Sequence, residues 1–141
     1  MKTLDEGISL VGLGNVGTHL LRAFAAQGVR VTHVLTRGEA PADFLGKVVR
    51  STKELPNDQL TLLCVPDDRI SQLVESLATY PLAYTSGSVR LDQLPEGNIG
   101  VFYPLQSFSK NRTIALSEVP FFIEARNADL GDLLFQLAKI L

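Results

Sequence analysis

Apolar residues recur along this chain in two alternating rhythms. Ile8-Ser9-Leu10-Val11 is a short run that closes on Gly12, and Ile8 to Gly12 reads as a first strand. Val16, Leu20, Leu21 and Phe24 then return near every 3.6 residues, which predicts a helix over Val16 to Gln27, stopped by Gly28. Val29 to Leu35 is rich in β-branched residues and predicts a second strand. A loop or short helix over Gly38 to Gly46, containing Pro41, leads to a brief third strand at Val48-Val49. Leu60 to Val65 is apolar save for Thr61, as expected of a parallel strand buried on both faces. Pro66 ends that strand, and Asp67 is placed to cap the next helix. Ile70, Leu73, Val74, Leu77 and Ala78 mark the buried stripe of that helix. Ala83 to Thr85, Ile99 to Tyr103 and Phe121 to Glu124 read as later strands, with Ser86-Gly87-Ser88 as a loop. Leu130, Leu133, Leu134, Leu137, Ala138 and Leu141 form a last helical stripe.

Strands alternating with helices imply an α/β fold: a Rossmann-type, doubly wound, mainly parallel sheet with helices on both faces and right-handed crossovers. The 141 residues suffice for one domain, over 1–141, and no repeat or linker divides them. The last stripe reaches Leu141 without a cap, a glycine or a polar tail. That suggests a domain cut from a longer protein; the alternative is a helix packed back on the sheet.

Between the first strand and the first helix stands Gly12-Leu13-Gly14-Asn15-Val16-Gly17. A G-x-G-x-x-G string is informative only in such a setting, with a strand before it and a helix after it. There Gly12 permits a tight turn, Gly14 admits a pyrophosphate to the backbone, and Gly17 lets the helix pack on the strand. The first helical N–H groups and the positive end of the helix dipole then face the phosphates. These six residues are the candidate dinucleotide-binding turn, against the alternative of a glycine turn with no ligand.

An NAD-type site carries an acidic residue about 20 positions beyond the glycines, where it accepts from the ribose hydroxyls. The second strand here ends instead in Thr36-Arg37-Gly38. Arg37 suits a 2′-phosphate through charge-assisted hydrogen bonds, and Thr36 adds a hydroxyl. NADP is therefore expected over NAD. In the competing reading Arg37 is a solvated charge and Glu39 reaches the ribose.

Ligands of open α/β sheets lie beyond the carboxyl ends of the strands. Three segments fall there. Val65, Pro66 and Asp67 are candidates to border the cofactor, Asp67 also being a simple helix cap. In Thr85-Ser86-Gly87-Ser88, the Ser86 hydroxyl can bond the carboxamide or the substrate, or merely cap the turn. Tyr103, ahead of Pro104-Leu105-Gln106-Ser107-Phe108, can donate or relay a proton, or be a buried structural tyrosine. Ser86 and Tyr103 are thus the catalytic candidates. His19 and His33 fall away from these ends and are expected to be structural.

Composition removes other classes. A formal charge of −2 gives no electrostatic case for nucleic acid or an anionic membrane. No apolar stretch reaches the roughly 18 residues of a membrane helix, and no secretory pattern opens the chain. The single cysteine, Cys64, lies in an apolar run and reads as a small buried hydrophobe. Two histidines and one cysteine lack metal-ligand spacing. A cytoplasmic location is expected.

Taken in order, Gly-Leu-Gly-Asn-Val-Gly, Thr-Arg, Val-Pro-Asp-Asp-Arg-Ile, Thr-Ser-Gly-Ser and Tyr-Pro-Leu-Gln-Ser-Phe resemble a mostly bacterial family of Rossmann-like NADP oxidoreductases. That family is related to pyrroline-5-carboxylate reductase, the 6-phosphogluconate dehydrogenase superfamily and deazaflavin-dependent NADP reductases. The resemblance runs from Ile8 to Phe108, and more loosely beyond. It implies an NADP-binding domain followed by a helical domain that makes a homodimer and closes the substrate cleft. By matching position, Gly12 to Gly17 would hold the pyrophosphate and Thr36 and Arg37 the 2′-phosphate. Val65, Pro66 and Asp67 would line the nicotinamide ribose, and Ser86 would face the reacting centre. The family pattern has histidine where this chain has Tyr103, which weakens an imidazole acid–base role. The expected function is hydride transfer to or from a small carbonyl, imine or hydroxy substrate. The alternatives are a non-catalytic NADP sensor or interaction module, and a Rossmann-like domain for another nucleotide.

Overall fold

Successive residues of the central strands enter two different hydrophobic layers, because a strand turns alternate side chains to opposite faces. The structure is a computed structural model, and it describes residues 4–109 and 114–141. Strands β1 (Ile8–Val11), β2 (Val31–Leu35), β3 (Lys47–Val49), β4 (Thr61–Leu63), β5 (Leu82–Tyr84), β6 (Ile99–Pro104) and β7 (Phe121–Ala125) form one sheet. Their spatial order is β3-β2-β1-β4-β5-β6-β7. All neighbours are parallel except β7, which runs antiparallel to β6 at the edge.

One face carries Leu10, Val34, Leu62, Ala83 and Phe102. Onto it pack Leu20, Leu21 and Phe24 of α1 (Asn15–Ala26) and Leu130, Leu133, Leu134 and Leu137 of α3 (Ala128–Ile140). The other face carries Val11, Val49, Leu63, Leu82, Tyr84 and Val101, covered by Ile70, Val74 and Leu77, the first two in α2 (Asp67–Ser76). The expected doubly wound α/β fold is the one observed. The apolar stripe of α3 is packed on the sheet, and Asn127 starts that helix by accepting from the Leu130 N–H at 2.8 Å.

Several boundaries differ from the sequence expectation. Val29 stays outside β2 because its N–H donates to the Phe24 carbonyl at 2.9 Å, in the left-handed turn made by Gly28 (φ +76°). Residues 36–46 form a loop without a helix. Asp67 is not the cap of α2. Pro66 occupies the N-cap, Asp67 is the first helical residue, and no side chain caps this end. A residue already inside the helix contributes its charge to the dipole but cannot fold back onto the next amides as a cap does. The helix ends at Ser76 with Leu77 as C-cap, so Ala78 lies past it and is exposed.

Candidate functional site

From β1 the chain passes to β2 on one side of the sheet, and from β4 to β5 on the other. A crevice beyond the carboxyl ends of β1 and β4 follows from that reversal. The glycine turn sits at its mouth. Gly12 has φ +95°, and a Cβ there would stand 2.4 Å from the Cys64 carbonyl oxygen. A Cβ on Gly17 would stand 2.2 Å from the Gly12 carbonyl oxygen and 3.2 Å from the Cys64 Cβ. These two glycines let β1, β4 and α1 close on one another. Gly14 is different: nothing lies within 4 Å of its would-be Cβ.

Gly14 is the N-cap of α1, with no side-chain cap. The first helical bond runs from the Thr18 N–H to the Gly14 carbonyl at 3.0 Å, so the amides of Asn15, Val16 and Gly17 precede it. Thr18 also donates its hydroxyl to the Leu13 carbonyl at 2.9 Å and fixes the turn, a contact the sequence pattern did not single out. No acidic residue stands in the first turn of α1, whereas α2 begins with Asp67 and Asp68. Of the two helix starts beside the crevice, only that of α1 offers an anion bare amides without opposing charge.

At the outer end of the crevice lies the turn after β2. The Thr36 Oγ1 accepts from the Gly38 N–H at 3.2 Å, which leaves the hydroxyl proton free to donate. Arg37 is exposed, and so is Glu39. Arg50, which follows β3, donates Nη1 to the carbonyls of Thr36 at 2.6 Å and Gly38 at 2.7 Å. Sequence reasoning missed Arg50.

At the inner end, Val65 is half-buried while Pro66 and Asp67 are exposed, and a Cβ on Gly12 would meet the Val65 Cγ1 at 3.3 Å. Leu63 pairs with Tyr84, which pairs with Val101. Continuing that register brings Ser86 to the level of Tyr103. The Tyr103 ring lies so close over Gly87 that a Cβ there would be 2.3 Å from its Cε2. Both Ser86 and Tyr103 are half-buried. The Ser86 Oγ accepts from the Ser88 N–H at 3.1 Å, and the Tyr103 hydroxyl has no hydrogen-bond partner among the described residues. A cavity of about 350 Å³ opens at Ser86, lined also by Gly87, Val89, Arg90, Phe122 and Glu124; Tyr103 does not line it. Another cavity of about 350 Å³, between α1 and the loop that carries Phe44 and Leu45, contains none of the candidate site residues.

Neither histidine is at the crevice floor. His19 is buried in α1, where its Nε2 bonds the Ser109 carbonyl and its ring lies 4.9 Å from that of Phe108. It thereby ties the segment after β6 to α1. His33 Nδ1 bonds the Thr32 hydroxyl at 2.8 Å; burial, with Lys47 nearby, lowers its pKa. Cys64 is buried and burial pushes its thiol up to about 12, so it is no nucleophile at neutral pH. Among the described residues no group of side chains is arranged for a metal, and no helix is long and apolar enough to cross a membrane.

No protein-family profile and no curated protein sequence matches the chain. Solved structures do. A protein from Bacteroides fragilis, described as an NADP oxidoreductase, superposes with a TM-score of 0.81 at 28% identity, over 96% of this chain and 57% of its own. Pyrroline carboxylate reductase from Plasmodium falciparum, solved with NADP bound, gives a TM-score of 0.75 at 13% identity, over 98% of this chain and 56% of its own. An NADH-preferring ketol-acid reductoisomerase from an uncultured archaeon gives 0.68 at 14% identity, over 97% and 49%. The chain thus spans about half the length of the proteins it resembles. It has the Rossmann-like topology of these oxidoreductases, and NADP enzymes stand among its structural neighbours.

Proposed function

We propose that this chain is the NADP-binding part of an oxidoreductase that moves hydride to or from a small carbonyl, imine or hydroxy substrate. One observation carries the reading. The start of α1 presents uncapped amides over open space at Gly14, and the tip of β2 carries Arg37 where an NAD site would have a carboxylate. The pyrophosphate lies along Gly12, Leu13, Gly14, Asn15, Val16 and Gly17. The 2′-phosphate meets Arg37 and the free hydroxyl proton of Thr36. Val65, Pro66 and Asp67 border the ribose on the nicotinamide side. The NADP neighbours support the choice of coenzyme; the NADH-preferring one shows that the fold alone does not make it.

The coenzyme supplies the hydride chemistry, and the protein orients the reactants. Ser86 lines the cavity and Tyr103 stands at its level with the ring over Gly87, so that the Tyr103 hydroxyl is the candidate donor to a developing alkoxide or amine. In this reading a further helical domain completes the substrate cleft and pairs two subunits, in keeping with the greater length of the structural neighbours. The lone buried thiol suits a cytoplasmic setting.

The test is a fluorescence titration with NADPH and NADH of the wild-type chain and of Arg37→Met. The expected result is tighter binding of NADPH, with that preference reduced at least about tenfold in Arg37→Met. Tighter NADH binding by the wild type overturns the coenzyme assignment.

A further inference from the structure

Thr36 follows β2 and Arg50 follows β3, in continuation of the register that pairs Leu35 with Val49. The Arg50 Nη1 donates to the carbonyls of Thr36 and Gly38, the two residues that flank Arg37. One nitrogen therefore curls the turn on which Arg37 is carried. It also occupies two carbonyl oxygens that would otherwise present negative charge to an incoming anion.

The main chain of Arg50 is itself held in place. Its N–H and that of Ser51 both donate to the Glu54 Oε2, at 3.0 and 3.1 Å, and Ser51 and Glu54 form a reciprocal cap on the short turn that follows. The Glu54 carboxylate is engaged with amides and not with the Arg50 guanidinium. Arg90 and Asp92 form an ion pair on the far side of the sheet from β3. Arg50 thus keeps Nη2 and Nε without a partner among the described residues, beside the turn bearing Arg37 and the free hydroxyl proton of Thr36. A guanidinium already tethered by two hydrogen bonds loses little freedom when it meets a ligand.

We propose that Arg50 sets the discrimination of NADPH from NADH in this site, by positioning the Arg37 turn and by offering a second guanidinium edge to the 2′-phosphate. This rests on the coenzyme reading given above. Arg50 supplies a fixed cation and Arg37 an adaptable one, so that two charges bracket a dianion that NADH lacks.

The experiment compares dissociation constants for NADPH and NADH in the wild-type chain, Arg50→Met and Arg50→Lys, with thermal melts on each. Arg50→Met should weaken NADPH by on the order of tenfold or more and leave NADH within about twofold. Its NADPH affinity should also depend less steeply on salt. Arg50→Lys keeps the charge and should recover part of the NADPH affinity. Equal losses for both coenzymes, in either variant, make Arg50 a merely structural residue and overturn the inference. So does an unchanged NADPH preference in Arg50→Met. A wild-type chain that binds neither coenzyme overturns the coenzyme reading and this inference together; a wild type that prefers NADPH leaves the variants to decide on Arg50 alone.

Discussion

Gly17→Ala and Gly14→Ala add the same methyl group three residues apart and should fail in different ways. At Gly17 the new Cβ stands 2.2 Å from the Gly12 carbonyl oxygen and 3.1 Å from its carbon. The obstacle is main chain, which cannot rotate aside as a side chain would, so α1 must lift from β1. Alanine returns about 1 kcal/mol through its better helix propensity. Overpacking costs about 1–3 kcal/mol in general, and a rigid contact this short belongs at or beyond the top of that range. The net expectation is a loss of about 2 kcal/mol, or a fall in Tm of about 6 °C for a chain of this size. At Gly14 no heavy atom lies within 4 Å of the new Cβ, and φ is an ordinary −71°. Stability should change by only about 0.5 kcal/mol, the weaker N-cap preference of alanine. In the proposed site the methyl would fill the space through which a pyrophosphate reaches the amides, so NADPH affinity should drop at least about tenfold, equivalent to about 1.4 kcal/mol. Circular dichroism melts and NADPH fluorescence titrations of both variants give the answer. A Gly14→Ala chain that binds like wild type, or a Gly17→Ala chain that melts like it, refutes the division of roles between the two glycines.

Stability should also decline at alkaline pH. The folded Cys64 thiol ionises only at about 12 against 9.0 for a free thiol, and burial raises Tyr84 to about 12 from 10.0. Their contribution is fully present below pH 9 and is lost as the pH rises from there toward 12, because the unfolded chain releases protons that the folded one retains. Urea midpoints measured between pH 8 and 10.5 should therefore fall, and a level profile contradicts the burial argument. Asn127→Ala removes the 2.8 Å cap on the Leu130 amide and should cost about 1 kcal/mol, seen as a Tm lower by about 3 °C. An unchanged melt would mean that water or a neighbour replaces the cap.

What the sequence made legible was local. Gly12, Gly14 and Gly17 declare the turn because each spacing answers to a steric demand within a few residues, and the buried run through Leu62 and Leu63 needs no partner to be recognised as central. Arg50 was hidden because its role exists only once β3 lies beside β2 in a definite register, which brings a side chain to carbonyls twelve and fourteen residues away. The juxtaposition of Ser86, Gly87 and Tyr103 was hidden for the same reason, since it depends on how β5 and β6 align. Asp67 was misjudged by one position: proline took the boundary and shifted the acid into the first turn. The Ser51-x-x-Glu54 cap, by contrast, was available in the sequence as a capping box and would have marked where β3 ends.

The imidazole of His19 has a mechanical implication. It fastens the tail behind Tyr103 to the same rod whose tip is the glycine cradle. One ring therefore moors the segment that leaves the phenol-bearing strand to the helix that starts at Gly14, so that strand and helix share a fastening outside either one's own backbone ladder.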